Sequence, residues 1–259
     1  CIRDREDDNI TLVLSETPFY AESGGQVGDV GVIKGNGFEF TVENTTKTHE
    51  GVVLHHGYIS DGETVSCGDK VHAEVNRSVR EATMRNHTAA HLLQAALRKI
   101  LGTHVEQAGQ LVNSEAVRFD FTHFQAMTPE EIEKVEDIVN NEIAENLPVI
   151  TKEMSLEDAK KTGAMALFGE KYGETVRVVS MGDFSVELCG GTHVANTGVI
   201  SAFKIISESG IAAGVRRIEA LTSTGLMKHY ESIEEEMNLA AKAVSYTHLR
   251  AHETSLHLV

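Results

Sequence analysis

The stretch Arg77-Ser78-Val79-Arg80-Glu81-Ala82-Thr83-Met84-Arg85-Asn86-His87-Thr88-Ala89-Ala90-His91-Leu92-Leu93-Gln94-Ala95-Ala96-Leu97-Arg98-Lys99-Ile100-Leu101-Gly102 decides how the chain is read. Val79, Ala82, Asn86, Ala90, Leu93, Leu97 and Ile100 recur every three or four residues, the period of a helix that buries one stripe, and Gly102 stops it as a C-terminal glycine does. His87 and His91 are four residues apart on this helix, so both imidazoles leave one face beside the apolar stripe and can reach a single ion. Partly buried helices also carry histidines at this spacing, so the pair needs a second half before it means a metal.

On the N-terminal side the period changes from helix to strand. Ile10 to Leu14, the alternating Phe38 to Glu43, Val52 to Tyr58 and Val71 to Val75 read as strands separated by turns such as Gly35-Asn36-Gly37 and Asp61-Gly62. Residues 1–75 are therefore expected to form a small, mostly antiparallel, barrel-like β lobe. On the C-terminal side, Thr128-Pro129-Glu130-Glu131 carries a capping Thr, a first-turn Pro and a capping-box Glu, and Ile132, Val135, Val139 and Ile143 supply a buried face. Short apolar strands are expected at Ala116 to Phe121, Val149 to Lys152, Val176 to Val179, Phe184 to Leu188, Val199 to Ile206 and Val215 to Leu221. The fold class is thus α+β: the β lobe, a mixed lobe over 76–224, and at 225–244 the start of a helix that leaves the domain, with Leu226, Tyr230, Ile233, Met237 and Ala240 on one stripe. Residues 245–259 interrupt that pattern and resemble translated sequencing-adapter read-through, so they are set aside as a non-native tail.

Composition narrows the function. With 259 residues, 23 Lys and Arg against 39 Asp and Glu, and a net charge of -16, the chain can bury one or two cores but lacks the basic surface that usually supplies nucleic-acid affinity. RNA, if bound, must meet local basic residues or rely on another domain. No apolar run reaches bilayer length, which argues for no membrane partner. The charged start without Met or a signal segment reads as a cytoplasmic chain that is a piece of a longer one. Three cysteines, Cys1, Cys67 and Cys189, form no disulfide framework, which favours reduced thiols or a metal ligand.

The second half of the metal reading is Cys189-Gly190-Gly191-Thr192-His193, where a strand ends in a glycine turn that can return Cys and His toward one point. Thiolate and imidazole are zinc's ligand chemistry. Thr88, not Glu, follows His87, which argues against a His-Glu-x-x-His protease. Four ligands could close a structural site, or one could be loose and leave room for water or substrate; the sequence leaves both open. In Ser23-Gly24-Gly25-Gln26-Val27-Gly28-Asp29-Val30-Gly31, the glycines suit either a ligand approached by backbone or a tight bend in a β lobe, and Gln26 could offer an amide contact. No Lys-Ser or Lys-Thr follows, so this is not a phosphate loop.

Phe19 to Gly31, Arg85 to Leu93 and Cys189 to His193 occur together and in the same order as in alanyl-tRNA synthetases, and the resemblance covers about Asp7 to Val244. It implies a glycine-motif lobe followed by an editing lobe of the kind shared with threonyl-tRNA synthetase and free-standing alanyl editing proteins. The implied zinc ligands, for one ion, are His87, His91, Cys189 and His193. Gln107 and Arg216 fall near the implied editing pocket as catalytic residues, with Ser23, Gly24, Gly25, Gln26 and Thr192 on the substrate side. The implied reaction is deacylation of seryl- or glycyl-tRNA(Ala), with the tRNA(Ala) acceptor end and the parent synthetase's other domains as partners and Arg77, Arg80, Arg85 or Arg216 facing the acceptor stem. The aminoacylation core is expected to lie outside the chain. A structural-zinc tRNA-binding module without catalysis and a free-standing trans-editing protein remain the alternatives; a different zinc hydrolase is weakened by Thr88.

Overall fold

A computed structural model describes residues 10–62, 64–165 and 173–255, with side chains as far as residue 244 at that end. The first lobe is one antiparallel sheet of β1 (Ile10–Leu12), β2 (Gly31–Gly35), β3 (Phe38–Lys47), β4 (Val53–Gly62) and β5 (His72–Val75), in the order β1-β4-β3-β2-β5. Alternation in β3 puts Phe38, Phe40 and Val42 on the buried face, where they pack with Ile10, Leu12, Phe19 and Ile33. The sheet is open: among the described residues β1 and β5 are opposite edges and do not pair, so the closure expected of a barrel is not made. β2 also replaces part of what reads as loop, because Gly31 and Gly35 flank an apolar Val32-Ile33 pair that completes the sheet between β3 and β5.

Helix α1 (Arg77–Leu101) begins where Asn76 Oδ1 accepts from the Val79 amide, and it ends at Gly102 with φ +114°. Its first turns are half exposed, but from Asn86 to Leu97 almost every residue is buried, as expected of a helix enclosed on all sides. Helix α2 (Pro129–Ala144) carries the anticipated capping box of Thr128 and Glu131 and lays Val135, Val139 and Ile143 against α1. Beneath them lies an antiparallel sheet of β6 (Gln107–Val112), β7 (Val117–Thr122), β11 (Phe203–Ala212) and β12 (Val215–Thr222), ordered β11-β12-β7-β6. Phe119, Phe121, Ile218 and Ala220 close the core.

A third sheet, β10-β9-β8, joins β8 (Val149–Ser155), β9 (Thr175–Met181) and β10 (Ser185–Leu188), with the short helix α3 (Leu156–Lys161) packed on it. Val199 and Ile200, expected to begin a strand, instead belong to a 3-10 turn over Thr197–Ile200, and β11 starts after it at Phe203. Thr197 explains the break: its hydroxyl donates to Glu142 O and accepts from Leu147 N, which fixes the segment to the end of α2. Helix α4 runs from Ser223 to Ser255. Its backbone continues through the stretch expected to interrupt it, because no Gly or Pro between Ser245 and Ser255 breaks the ladder. Residues 256–259 lie outside the described residues. No described helix is long and apolar enough to cross a membrane.

The two lobes are stitched at the glycine loop. Gly24 and Gly25 take φ of +59° and +81°, and Gly25 lies so close to Gln110 that a Cβ would collide with it. Gly25 O accepts from Val112 N at 2.7 Å and Val27 N donates to Val112 O at 3.0 Å, so the loop extends the β6 edge. Arg80 Nε donates to buried Asp29 at 2.7 Å, and its terminal nitrogen reaches Pro18 O at 2.9 Å.

Candidate metal centre

α1 brings His87 and His91 up from below, and the turn after β10 brings Cys189 and His193 down from above. Their ligand atoms all lie within 4.8 Å of one another, the density of side chains that a single ion requires. Gly191 makes the approach possible, because a Cβ there would overlap the His87 ring. Cys189 Sγ stands 3.4 Å from His87 Nε2 and 3.3 Å from His193 Nε2.

Each imidazole is oriented by a bond from its other nitrogen. Gln26 Oε1 accepts from the Thr192 amide at 2.8 Å, so the oxygen of that side chain faces the site and His87 Nδ1, 2.7 Å away, must donate to it. His91 Nδ1 meets Glu187 Oε2 at 2.6 Å. Thr88 donates its hydroxyl to Met84 O, so it accepts from His193 Nδ1 at 3.3 Å. All three rings therefore turn Nε2 toward Cys189, with a carboxylate, an amide and a hydroxyl behind them, the outer-shell arrangement of histidine metal ligands.

Charge in the cluster follows the same geometry. Burial alone would raise the Cys189 thiol, but the nearby His91 and His87, with hydrogen bonds from His193 and His87, outweigh it and hold the thiol far below its usual range. Burial, reinforced by His87, lowers His193 to about 3, against the pull of Cys189. His91 moves up: burial opposes its charged form, but Glu187 and Cys189 more than compensate. The thiolate of Cys189 and the neutral ring of His193 are forms that a metal takes directly, whereas His91, whose charged form Glu187 and Cys189 favour, would give up its Nε2 proton on binding one. His91 Nε2 is also buried and has no hydrogen-bond partner among the described residues, an orphaned ring nitrogen suited to coordinating a cation. The donor set fits zinc.

A cavity of about 220 Å³ opens beside the cluster, lined by His87, His91, Cys189, Ser23, Gly24 and Gln107 among others. Gln110, which donates to Gly24 O at 2.6 Å, and Arg177, which donates to Gly191 O, also line it. Of the residues marked out in the sequence, Gln26 and Thr192 sit behind the cluster, bonded to each other with Gln26 also bonded to His87, whereas Gly25 faces Gln110. Arg216 lies elsewhere: Glu208 clamps its guanidinium at 2.5 and 2.6 Å on the β11–β12 hairpin, and it does not line the cavity. Arg80 and Arg77 are likewise engaged, by Asp29 and by Glu81. Sequence reasoning missed Glu187, Thr88 and Arg177. Glu187 left a trace as a carboxylate in the short apolar strand β10, two residues before Cys189.

Fold and site together define an α+β protein with a buried three-histidine, one-cysteine cluster suited to a metal and a small cavity against it. Residues 176–219 match the family described as Threonyl and Alanyl tRNA synthetase second additional domain, and residues 4–79 match tRNA synthetases class II (A). Alanine–tRNA ligase 1 of Lachnoclostridium phytofermentans is 60% identical over 232 residues, covering 90% of this chain and 26% of that protein. The alanine–tRNA ligases of Pseudomonas syringae pv. tomato and Acetivibrio thermocellus are each 54% identical, over 90% and 89% of this chain and 26% of their own length. The chain belongs to the alanyl-tRNA synthetase family, and it spans about a quarter of the length of the curated relatives it matches. Cys189, His193 and Arg216 fall in the second additional domain match and the glycine loop in the class II match, while His87 and His91 lie between the two.

Proposed function

We propose that this chain hydrolyses the ester of alanine tRNA charged with serine or glycine, as the proofreading part of an alanine–tRNA ligase. The observation that carries the reading is the cavity whose wall includes His87, His91 and Cys189 of the cluster. About 220 Å³ is below the roughly 300–1,000 Å³ of common ligand pockets, a size that suits a small aminoacyl end and not a whole nucleotide. The biological need is physical: a pocket shaped for a methyl group cannot exclude glycine and rejects an added hydroxyl weakly, so a second, hydrolytic site is the remedy.

In the reaction, water adds to the ester carbonyl carbon, the bond to the ribose oxygen breaks, and that oxygen takes the proton, releasing the amino acid and free tRNA. His87, His91, Cys189 and His193 would hold one zinc, which supplies Lewis-acid polarisation when a coordination position is free. Ser23, Gly24 and Gln107 also line the cavity, where backbone and amide groups can orient the aminoacyl end. Among the described residues Arg177 is the charged cavity residue outside the cluster, and its guanidinium suits the tRNA's phosphate charge.

A second reading has its own support. Four protein ligands, each histidine braced from behind, are the number a structural zinc takes, and they would hold one in a tRNA-binding module. Release of serine from serine-charged alanine tRNA, with alanine-charged tRNA as control and a chelator arm, separates the two. Selective, chelator-sensitive release is the expected outcome. An intact, zinc-loaded protein that binds the tRNA and releases nothing would leave the structural reading standing.

A further inference from the structure

Gln26 is fully buried, and both ends of its amide are taken up by the protein. Oε1 accepts from His87 Nδ1 at 2.7 Å and from the Thr192 amide at 2.8 Å, which uses both of its lone pairs, and Nε2 donates to Thr192 Oγ1 at 2.9 Å. The three partners come from three places: Gln26 from the glycine loop of the first lobe, His87 from α1, and Thr192 from the Cys189–His193 turn. The loop is itself anchored to the β6 edge through Gly25 and Val27. The acceptor oxygen has no lone pair left for a substrate, and the second Nε2 hydrogen is enclosed with the fully buried side chain.

We propose that Gln26 is a positioning residue of the metal centre and not a substrate contact: it ties the glycine loop to His87 and to the ligand turn, so that metal affinity depends on the docking of the two lobes. The proposal rests on the metal reading of the cluster and is independent of ester hydrolysis. Without the acceptor, a buried ring N–H and a buried amide lose their partner at once, and His87 is free to rotate its Nε2 away from Cys189.

The test is zinc affinity by chelator competition in the whole chain, for Gln26→Met, which keeps the shape without the acceptor, and Gln26→Glu, which restores it. Losses of outer-shell partners cost about 10–100-fold in metal affinity, and Gln26→Met should fall in that range while Gln26→Glu stays within about threefold of the parent. The cobalt-loaded Gln26→Glu protein adds a readout that needs no loss of fold. A carboxylate against His87 Nδ1–H makes the ring a stronger donor and should shift the visible cobalt bands. Parent-like zinc affinity in Gln26→Met, or an unchanged cobalt spectrum in Gln26→Glu, would overturn the proposal. Failure of the editing reading would leave both metal readouts in place.

Discussion

Two pairs of histidines have the same ring spacing and opposite fates. His87 and His91 stack with centroids 5.3 Å apart in the buried centre, and His104 and His123 stack at 5.3 Å on the exposed end of the β6–β7 sheet. The second pair turns its nitrogens on each other, with His104 Nε2 3.0 Å from His123 Nδ1. In the first pair each Nδ1 has its own partner, Gln26 or Glu187, and each Nε2 is left aimed at a shared point. His55, buried in the first lobe, shows a third outcome. Its Nδ1 donates to Leu12 O at 3.0 Å and its Nε2 accepts from Thr17 at 2.8 Å, so burial without a spare nitrogen makes a core residue. What separates a metal site from proximity is where the second nitrogen of each ring is bonded.

The comparison breaks most visibly at a ligand. His91→Ala should reduce bound zinc from one per chain to a trace after dialysis, a loss larger than the roughly 10–100-fold of an outer-shell change. Chelation should lower the parent's melting temperature and leave the variant's unmoved, since zinc at about 1,000 times its Kd stabilises by about 4 kcal/mol. Full zinc content in His91→Ala would refute the ligand assignment.

Glu187→Gln sharpens the point by removing charge while keeping shape. It should retain one zinc per chain and bind it about 10–100-fold more weakly in a chelator titration.

His55 tests the third outcome through pH. Burial holds its pKa below the ordinary value, so the unfolded chain binds more protons as pH falls toward 6.5; the stability is present above that value and is lost as pH drops through the lowered folded pKa. The limit is about 1.4 kcal/mol per pH unit across that window. Urea midpoints at pH 7.5 and 5.5, taken in chelator, should differ more in the parent than in His55→Gln. Parallel shifts in the two proteins would remove His55 from the account.

The smallest effect is reserved for the exposed pair. His104→Ala should leave zinc content unchanged and stability within about 0.5 kcal/mol, as for most surface substitutions. A drop in zinc there would mean that ring proximity alone suffices.

Much of the frame was legible because it rests on local rules. The α1 stripe with Gly102, and the Thr128-Pro129-Glu130-Glu131 start of α2, are contained within a few residues of one another. β2 and β6 were not read, since Val32-Ile33 and Leu111-Val112 are apolar pairs too short to show a period and become strands only through their neighbours. Val199 and Ile200 read as strand for the opposite reason: their β propensity is local, while the hydroxyl of Thr197 that holds them in a turn bonds residues about fifty positions away. At the site, the ligand types were visible in His87, His91, Cys189 and His193, but Glu187 and Thr88 were not, because a carboxylate and a hydroxyl are ordinary until a ring nitrogen is placed against them.

The amino-acid sequence by itself determined the α+β class, the long helix with two histidines on one face, the Cys-Gly-Gly-Thr-His turn and the family resemblance, all of which follow from residue type and short spacing. Only the tertiary structure decided which nitrogen of each ring faces the cluster, that Gln26 is bonded to ligand and turn, that Arg216 is clamped by Glu208 away from the cavity, and that the first sheet stays open. The bonds behind the rings and Gln26 join groups from about sixty to more than a hundred and sixty residues apart, and even the Arg216–Glu208 pair, eight apart, meets only across a hairpin; direction and burial, which no local pattern encodes, determine the chemistry.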